Sequence, residues 1–407
     1  MNIITINGEK IYIKELLIDF KSKEIHIVED DISSKAYIFL FRHILLDKDI
    51  DEVVYLKDNN SNIYTFYSCY IGKHFMKKNQ IDTIIKFNAY ITNFEIDDIK
   101  KYKINKMEIR LEYKNFNIVQ IEESIGKYLK FFIGNMKYSI ELIFEERYYK
   151  VILENKKELE TEKFIHKFLQ FYEFIILNLG YYLEIKKIIL VNLENVCEYY
   201  YPFSSKYIGA NNYNSYNCVL GKINKKEIKS IYQKWLQLRK NTHNIYDIFM
   251  NVFSVNYFIE IALSTVTNCM EGYYKCIHKA TLKKTVRNKT GKIETRNKEF
   301  KDIMKEYLNT NEGKIIFSSK DRQVLKIYTK LTNHRNYFAH LDKKKKRFYG
   351  DSNLYMLLKI KLLFRISMLK DINQNVEIDY LEECIKDIEA NIQLKNGVWL
   401  YEKLWNK

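Results

Sequence analysis

The amino-acid sequence predicts an α+β protein, in which a strand-rich N-terminal domain is followed by an all-α helical bundle. Up to residue 150, short runs of Ile, Val, Phe and Tyr alternate with turn residues. In the second half of the chain, apolar residues instead recur every three or four positions. The chain has 407 residues, which is enough for two domains that each bury a core.

The N-terminal half contains runs with the composition of antiparallel strands, separated by turns such as KDNNSN at 57–62. The predicted strands are IITI, KIYIKELLIDF, EIHIVE, EVVYLK, IYTFYSCYI, TIIKFNAYITNFEI, KMEIRLEY and YSIELIFEE. A helix is predicted over 158–180, because its phenylalanines recur at steps of three and four and Gly180 suits a helix end.

A change of composition marks the domain boundary. The segment 201–218 holds the only proline, Pro202, within a cluster of Ser, Asn and Gly. We therefore predict an N-terminal domain over 1–200, ending in a helix, and a helical domain over 222–407. The helices predicted in the second domain lie at 225–240 and 244–284 and in the runs RNKEFKDIMKEYL, SSKDRQVLKIYTKLTNHRNYFAHL, NLYMLLKIKLLFRISML and EIDYLEECIKDIEANIQL. The helix at 244–284 has a broad apolar face and is expected at the centre of the bundle.

The net positive charge of the chain lies in its second half. The whole chain carries +16, and residues 221–407 hold 37 Lys and Arg against 20 Asp and Glu. Residues 281–350 alone hold 20 basic and 7 acidic side chains. Such clustering is typical of a site for a polyanion, because basic side chains displace counterions from phosphates. The alternative is a solvated, Lys-rich face without a ligand.

Several classes of protein are excluded by composition. The six cysteines are scattered without framework spacing, which indicates reduced thiols in the cytoplasm. The start, MNIITINGEK, lacks the features of a signal peptide, and the apolar runs are too short to span a membrane. Cys269, Cys276 and His278 fit no zinc spacing, and no phosphate-binding glycine loop occurs. We therefore expect no metal, no cofactor and no membrane partner.

The segment TNHRNYFAHLDKKKKRFYG, at 332–350, combines an arginine and a histidine five positions apart with a basic run. Arg335 falls on the apolar stripe of its predicted helix, where a guanidinium needs a partner or a cleft. Asn336 and His340 are four apart and share a face if the helix continues through both. The neighbouring His334 is expected to be exposed, where it could contact RNA or be incidental to the motif.

A line of polar residues on the predicted helix 244–284 offers the partner that Arg335 needs. Its members recur at steps of three and four: Glu260, Ser264, Thr267, Glu271, Tyr274 and His278. Glu271 is the candidate carboxylate, because a buried arginine is best satisfied by a charged hydrogen-bond acceptor. In the alternative interpretation this line faces solvent, and Arg335 extends to the surface.

These residues resemble a known family. RNYFAH matches the Arg-Asn-x-x-x-His form of the motif of the HEPN superfamily (higher eukaryotes and prokaryotes nucleotide-binding). Together with CMEGYYK on the preceding helix, the basic segment and the strand-rich first half, it looks like the ApeA family of bacterial anti-phage proteins. In that family an ApeA N-terminal domain precedes an ApeA-like HEPN ribonuclease domain, which implies a sensing or regulatory role for residues 1–200.

The resemblance implies a metal-independent endoribonuclease of abortive-infection defence, active as a homodimer through its HEPN domains. Its substrate would be RNA, with tRNA or other host or phage RNA as candidates, and a phage protein is a candidate trigger. Arg335, Asn336 and His340 would be the catalytic residues, and Glu271 would support them. The expected RNA-binding residues are Lys343, Lys344, Lys345, Lys346 and Arg347. The alternative function is a non-catalytic nucleic-acid-binding or scaffold protein that keeps the HEPN bundle.

Overall fold

The structure of the chain is a computed structural model. It describes residues 2–6, 9–13, 15–19, 22, 24–29, 52–58, 60–77, 80–87, 89–92, 96, 98–112, 128–133, 138–145, 148–180, 183–192, 195–200, 226–242, 244–254, 258–287, 291–318, 327–340 and 351–394. The predicted domain boundary at 201–218 lies outside these residues.

The chain forms two compact units that alternate along the sequence. Unit 1 comprises Met1–Glu112, Phe132–Phe168 and Ile185–Ser204. Unit 2 comprises Tyr113–Phe131, Leu169–Glu184 and Ser205–Lys407.

The first half of the chain is rich in strands, as its alternation of apolar runs and turns predicted. Its strands are β1 (Asn2–Ile6), β2 (Glu9–Ile13), β3 (Glu15–Asp19), β4 (Glu24–Glu29), β5 (Glu52–Lys57), β6 (Ile63–Lys77), β7 (Gln80–Lys86), β8 (Ala89–Thr92), β9 (Lys103–Glu112), β10 (Tyr128–Ile133), β11 (Tyr138–Glu145), β12 (Tyr148–Glu160), β13 (Glu184–Val191) and β14 (Val196–Tyr200). The sequence analysis did not predict β10, β12, β13 and β14.

The strands of unit 1 associate edge to edge into a large sheet. Its main path runs β11, β12, β9, β13, β14, β8, β6, β5, β1 and β2. β12 pairs antiparallel with both β11 and β9, with a register irregularity between Glu154 and Leu159. Alternate side chains of the strands are buried, as in β9, because successive side chains of a strand point to opposite faces.

The second half of the chain is mainly helical, which confirms the predicted fold class. The helices are α1 (Thr161–Leu179), α2 (Ile228–Thr242), α3 (Asn244–Ser254), α4 (Ile259–Ile277), α5 (Phe300–Asn309), α6 (Asn311–Ile316), α7 (Ile327–His340), α8 (Asp351–Asp371) and α9 (Ile378–Leu394). A short 3-10 turn, Lys279–Thr281, follows α4. The single helix predicted over 244–284 is therefore divided into α3 and α4.

The core of unit 2 surrounds α4, in agreement with the predicted central helix. This helix packs against α2, α3, α5, α7 and α8. α8 is buried along most of its length, because its apolar residues occupy every side. Its Phe364 ring lies 4.5 Å from that of Phe249 and 5.2 Å from that of Tyr273, measured between ring centroids. These contacts fix α4 between its neighbours.

A β-hairpin interrupts the helical region between α4 and α5. Strands β15 (Lys283–Arg287) and β16 (Ile293–Asn297) pair antiparallel, with Thr285 opposite Thr295. Gly291 adopts φ 82° in the connection, a conformation that favours glycine. The prediction of an all-helical second half was wrong here, although the β-branched residues and the Gly in NKTGK are typical hairpin signals.

α1 ends at Leu179, directly before the predicted terminal residue Gly180, and the structure supplies the reason. Gly180 has φ 81°, and a Cβ atom at this position would collide with Nη1 of Arg365. Arg365 Nη2 also approaches the carbonyl oxygen of Asn178 at 3.4 Å. A cation at the carbonyl end of a helix is favourable, so glycine here admits a stabilising side chain.

Candidate functional site

The motif Arg335-Asn336-x-x-x-His340 lies on one uninterrupted helix, α7. Asn336 and His340 are about one turn apart and therefore share a face of the helix. Arg335 and His340 are separated by about 7.5 Å along the axis, at 1.5 Å per residue. The side chain of His340 lies outside the described part of the chain.

Arg335 is held by α4 and α5. Its Nη2 lies 2.6 Å from Glu271 Oε2, and its Nε donates to Asn268 Oδ1 at 2.8 Å. Its Cζ lies 5.1 Å from the centre of the Phe300 ring. The side chain is nevertheless 29% exposed. The guanidinium is thus oriented by three neighbours and still accessible to an anion.

Glu271 is the carboxylate that the spacing on α4 singled out. Its side chain is only 10% exposed, and its second oxygen, Oε1, accepts a hydrogen bond from Lys275 Nζ at 2.7 Å. One carboxylate therefore serves two cations, which leaves the cluster with a net positive charge. A local excess of positive charge favours the binding of phosphate.

The middle of the polar line of α4 faces the protein interior, whereas Glu260 and His278 at its two ends are half-buried. Ser264, Thr267, Glu271 and Tyr274 are all buried. Thr267 donates its hydroxyl proton to the carbonyl oxygen of Ser264 at 2.8 Å, which satisfies one of these groups within the helix. The alternative of a solvent-facing line with Arg335 extended over the surface is therefore wrong.

His334 is buried rather than exposed. It retains 1% of its accessible surface, and its Nε2 lies 3.0 Å from the carbonyl oxygen of Glu260. Ile327 and Leu331 are also buried, and they precede His334 by seven and three positions. The three side chains therefore form one buried stripe along α7. This stripe differs from the predicted one that contains Arg335. Its helical spacing was the signal that could have revealed a buried His334.

An aromatic and basic surface continues from Arg335 along α5 and α7. Tyr328 precedes Arg335 by seven residues, or about two turns, and so lies on the same face of α7. The Nζ atoms of Lys301 and Lys305 each lie 5.2 Å from the centre of its ring. The adjoining pocket, about 310 Å³ in volume, is lined by Lys305, Leu308, Asn309, Ile327 and Tyr328. Cations interleaved with aromatic rings suit single-stranded nucleic acid.

Polar contacts fasten the C-terminal end of α4. The Tyr274 hydroxyl lies 2.9 Å from Thr281 Oγ1 and also donates to Glu306. Lys298 Nζ donates to the Tyr274 hydroxyl at 3.0 Å and pairs with Glu306. These contacts join the end of α4 to α5 and to both ends of the hairpin.

Cys269, the neighbour of Asn268 on α4, has the chemistry of a core residue. Burial raises the pKa of Cys269 to about 12, so its thiol stays protonated at neutral pH. Within the residues that the structure describes, no group of three or more His, Cys, Asp or Glu side chains is arranged to hold a metal ion. Over the same residues, no helix is long and apolar enough to cross a membrane.

Only part of the predicted basic surface belongs to the described structure. The run Lys343–Lys346 with Arg347 lies outside the described residues, so its RNA-binding role stays a prediction. The hairpin and α5 are described, and they carry most of the basic residues between 281 and 310.

Comparison with known families identifies the region that contains this site. Residues 264–377 match the family model of the Apea-like HEPN domain. This protein contains an Apea-like HEPN domain. The match includes Glu271, Arg335, Asn336 and His340. HEPN domains are generally associated with ribonucleases, and they commonly bind RNA and dimerise. Neither the search of curated proteins nor the search of solved structures gave a match.

Proposed function

We propose that this protein is a metal-independent endoribonuclease of bacterial anti-phage defence, with Arg335, Asn336 and His340 as its catalytic residues. The observation that carries the proposal is the state of Arg335. Its guanidinium is oriented by Glu271 and Asn268, yet it stays partly exposed on the helix that bears His340. The defence role rests on the resemblance to the ApeA family.

Arg335 supplies the electrostatic part of the proposed reaction. An arginine is cationic at any working pH, and its planar group matches two oxygens of a phosphate. Because Glu271 and Asn268 fix the guanidinium before substrate binds, little reorganisation is needed when charge develops on the phosphoryl oxygens. The neighbouring Asn336, which is half-buried, is suited to hydrogen-bond the phosphate or to orient His340.

His340 supplies the proton transfer. In the proposed reaction the ribose 2′-oxygen loses its proton and attacks the adjacent phosphorus, and the bond from phosphorus to the 5′-oxygen breaks. The departing oxygen gains a proton, so the products are a 2′,3′-cyclic phosphate and a 5′-hydroxyl. Imidazole titrates near neutral pH, which makes His340 the general acid or base of this step. The reaction requires no metal.

The site is expected to be completed by a second copy of the chain. We propose a two-fold homodimer through the helical domain, in which the two motifs face each other across the interface. The substrate is RNA, because the reaction needs a 2′-hydroxyl as its nucleophile. The basic and aromatic side chains beside Arg335 support a single-stranded substrate.

The proposal is tested by incubating the purified protein, as the full chain, with total RNA in EDTA. We expect wild-type cleavage to persist and the products to carry 2′,3′-cyclic phosphates. His340→Ala should reduce the rate by about 10²–10⁴, as is typical when a general acid or base is removed. Arg335→Ala should reduce it by about 10²–10³, as is typical when a donor that stabilises the transition state is removed. Circular dichroism spectra should show that both variants stay folded.

His166→Ala is a matched control, because it removes an exposed imidazole from α1 and should leave the rate unchanged. Full activity in His340→Ala, or complete loss of wild-type cleavage in EDTA, would overturn the mechanism. If the wild-type protein bound RNA without cutting it under any condition, the alternative of a non-catalytic HEPN scaffold would stand instead.

A further inference from the structure

The hairpin β15–β16 is a strongly basic element of the described structure close to Arg335. Residues 283–297 contain six Lys and Arg and one acidic residue, Glu294. A two-stranded hairpin of this length contributes little to a helical core, and most of its residues are exposed. Its composition therefore calls for an explanation other than packing.

The two faces of the hairpin differ. On the inner face, Lys284 pairs with Asp302 of α5, and Arg296 Nη2 lies 2.7 Å from Glu294 Oε2. The outer face is exposed throughout and has no carboxylate among its described residues. Its members are Lys283, Thr285, Arg287, Ile293, Thr295 and Asn297. Asp302 and Glu294 thus neutralise the two cations of the inner face. Lys283 and Arg287, on the outer face, are left for an external partner.

The outer cations have no internal counterion in the described residues. Neither Lys283 nor Arg287 forms an ion pair there, although both strands of the hairpin are described. On the same face, Thr285 lies between Lys283 and Arg287 along β15, opposite Thr295 of β16, and both threonines can donate hydrogen bonds. Ile293, opposite Arg287, is 62% exposed. The face combines charge, hydrogen-bond donors and an apolar side chain.

The hairpin is also anchored to the Arg335 site. β16 ends at Asn297, three residues before Phe300, whose ring contacts the Arg335 guanidinium. Three residues span at most about 10 Å of backbone. Lys298 donates to Tyr274, which follows Glu271 by three residues on α4. The contacts that fix the base of the hairpin therefore adjoin those that fix Arg335.

From these observations we infer that the outer face of the hairpin binds the phosphates of single-stranded RNA and leads the strand to Arg335. This inference rests on the proposed function and adds a second RNA-binding element to it. Each strand of the hairpin is about 17 Å long, which allows contact with several nucleotides beyond the motif. A single strand is favoured over a duplex, because its unpaired bases are accessible to the exposed side chain of Ile293 without unstacking of base pairs.

The test measures binding separately from cleavage. A fluorescein-labelled 2′-O-methyl oligouridylate lacks the nucleophilic hydroxyl, so it is bound and not cut. Its affinity for the full chain is measured by anisotropy across a salt series. The variant is Lys283→Gln with Arg287→Gln, and the control is Lys229→Gln with Lys234→Gln, which removes two exposed charges from α2.

Removing two phosphate-binding side chains should reduce the log–log salt slope by about 1.4, since each phosphate neutralised on a single strand contributes about 0.7. Between 1 M and 0.1 M salt the deficit in affinity should therefore grow roughly 25-fold. The control should keep the wild-type slope. An unchanged slope in the hairpin variant, or an equal change in the control, would refute the inference.

Failure of the hairpin and failure of the nuclease proposal give different results. If the hairpin variant binds like wild type while the wild-type protein cleaves natural RNA, only the hairpin inference is wrong. If the wild-type protein cleaves no RNA while the hairpin variant still binds the oligouridylate more weakly, the nuclease proposal fails and the binding element stands.

Discussion

Replacing Glu271 by Gln should separate the orientation of Arg335 from the stability of the fold. The substitution keeps the size of the side chain and removes its charge. Arg335 is then deprived of the carboxylate at 2.6 Å, and Lys275 of its partner at 2.7 Å. Asn268 and Phe300 remain as neighbours of the guanidinium, but neither carries a charge that resists its displacement towards solvent.

The expected cost in stability is moderate. Breaking a fully buried ion pair costs about 3–5 kcal/mol, and an exposed pair contributes about 0.2–1 kcal/mol. Arg335 is 29% exposed and Lys275 is half exposed, so water compensates both cations in part. We expect a loss of about 1–2 kcal/mol, which corresponds to roughly 2–8 °C in the melting temperature of a domain of this size.

The expected cost in catalysis is larger. A displacement of about 1 Å in a positioned group can reduce a rate about 10²-fold, so single-turnover cleavage should fall by one to two orders of magnitude. A shorter carboxylate in Glu271→Asp should restore part of the rate, because it restores the charge. Glu271 is a positioning residue, and its effect should appear in the cleavage step rather than in RNA affinity.

Glu312→Gln is a matched control in the same unit. The Glu312 carboxylate is 13% exposed and lies 2.8 Å from Nζ of Lys370, a half-exposed lysine. This variant should be destabilised to a comparable degree through its lysine and should keep the wild-type cleavage rate. Wild-type cleavage in Glu271→Gln, or an equal decrease of rate in Glu312→Gln, would refute the role of Glu271 in orienting Arg335.

The remaining predictions concern the basic run, the assembly and the pH dependence of stability. Replacing Lys343–Lys346 by Gln should weaken RNA binding and reduce the log–log salt slope by about 0.7 for each phosphate that is no longer neutralised, and an unchanged slope would indicate a solvated segment. Sedimentation equilibrium of the full chain should detect a dimer, and a protein that stays monomeric at high concentration would contradict the facing motifs. Burial, with repulsion from Arg365, lowers the pKa of Lys361 from 10.5 to about 7. Because the unfolded chain then binds more protons between these values, the stability of wild type relative to Lys361→Met should rise from about pH 7 to about pH 10.5, and a pH-independent difference in urea titrations would exclude the shift.

Much of the site could be predicted from spacing alone. The period of α7 predicted Arg335 on the apolar stripe, and the period of α4 predicted Glu271 on a polar line that could supply its partner. A helix repeats every 3.6 residues, so the sequence determines which side chains share a face. Because a partly buried guanidinium needs a carboxylate as its partner, Glu271 of α4 was predicted to pair with Arg335 of α7.

Reasoning from helical spacing gave an incorrect result for α7, where either of two rows of residues could form the buried face. His334 and Arg335 are adjacent, and only Arg335 was predicted to lie on the inward stripe. In the structure His334 is almost completely buried, whereas Arg335 is partly exposed. The rotation of α7 about its own axis decides between these stripes, and that rotation is set by packing against α4 and α5 rather than by the sequence of α7 itself.

The sequence by itself determined the α+β fold class, the segregation of the net positive charge into the second half and the helical periods that contain Arg335 and Glu271. Each of these depends on local period, composition or charge, which are properties of a single segment. Only the tertiary structure decided that Asn268 and Phe300 complete the setting of Arg335, and that a basic hairpin adjoins it. Phe300 reaches the guanidinium because the chain turns back through the hairpin and α5 packs against α7, and such contacts between distant segments depend on the packing of whole elements.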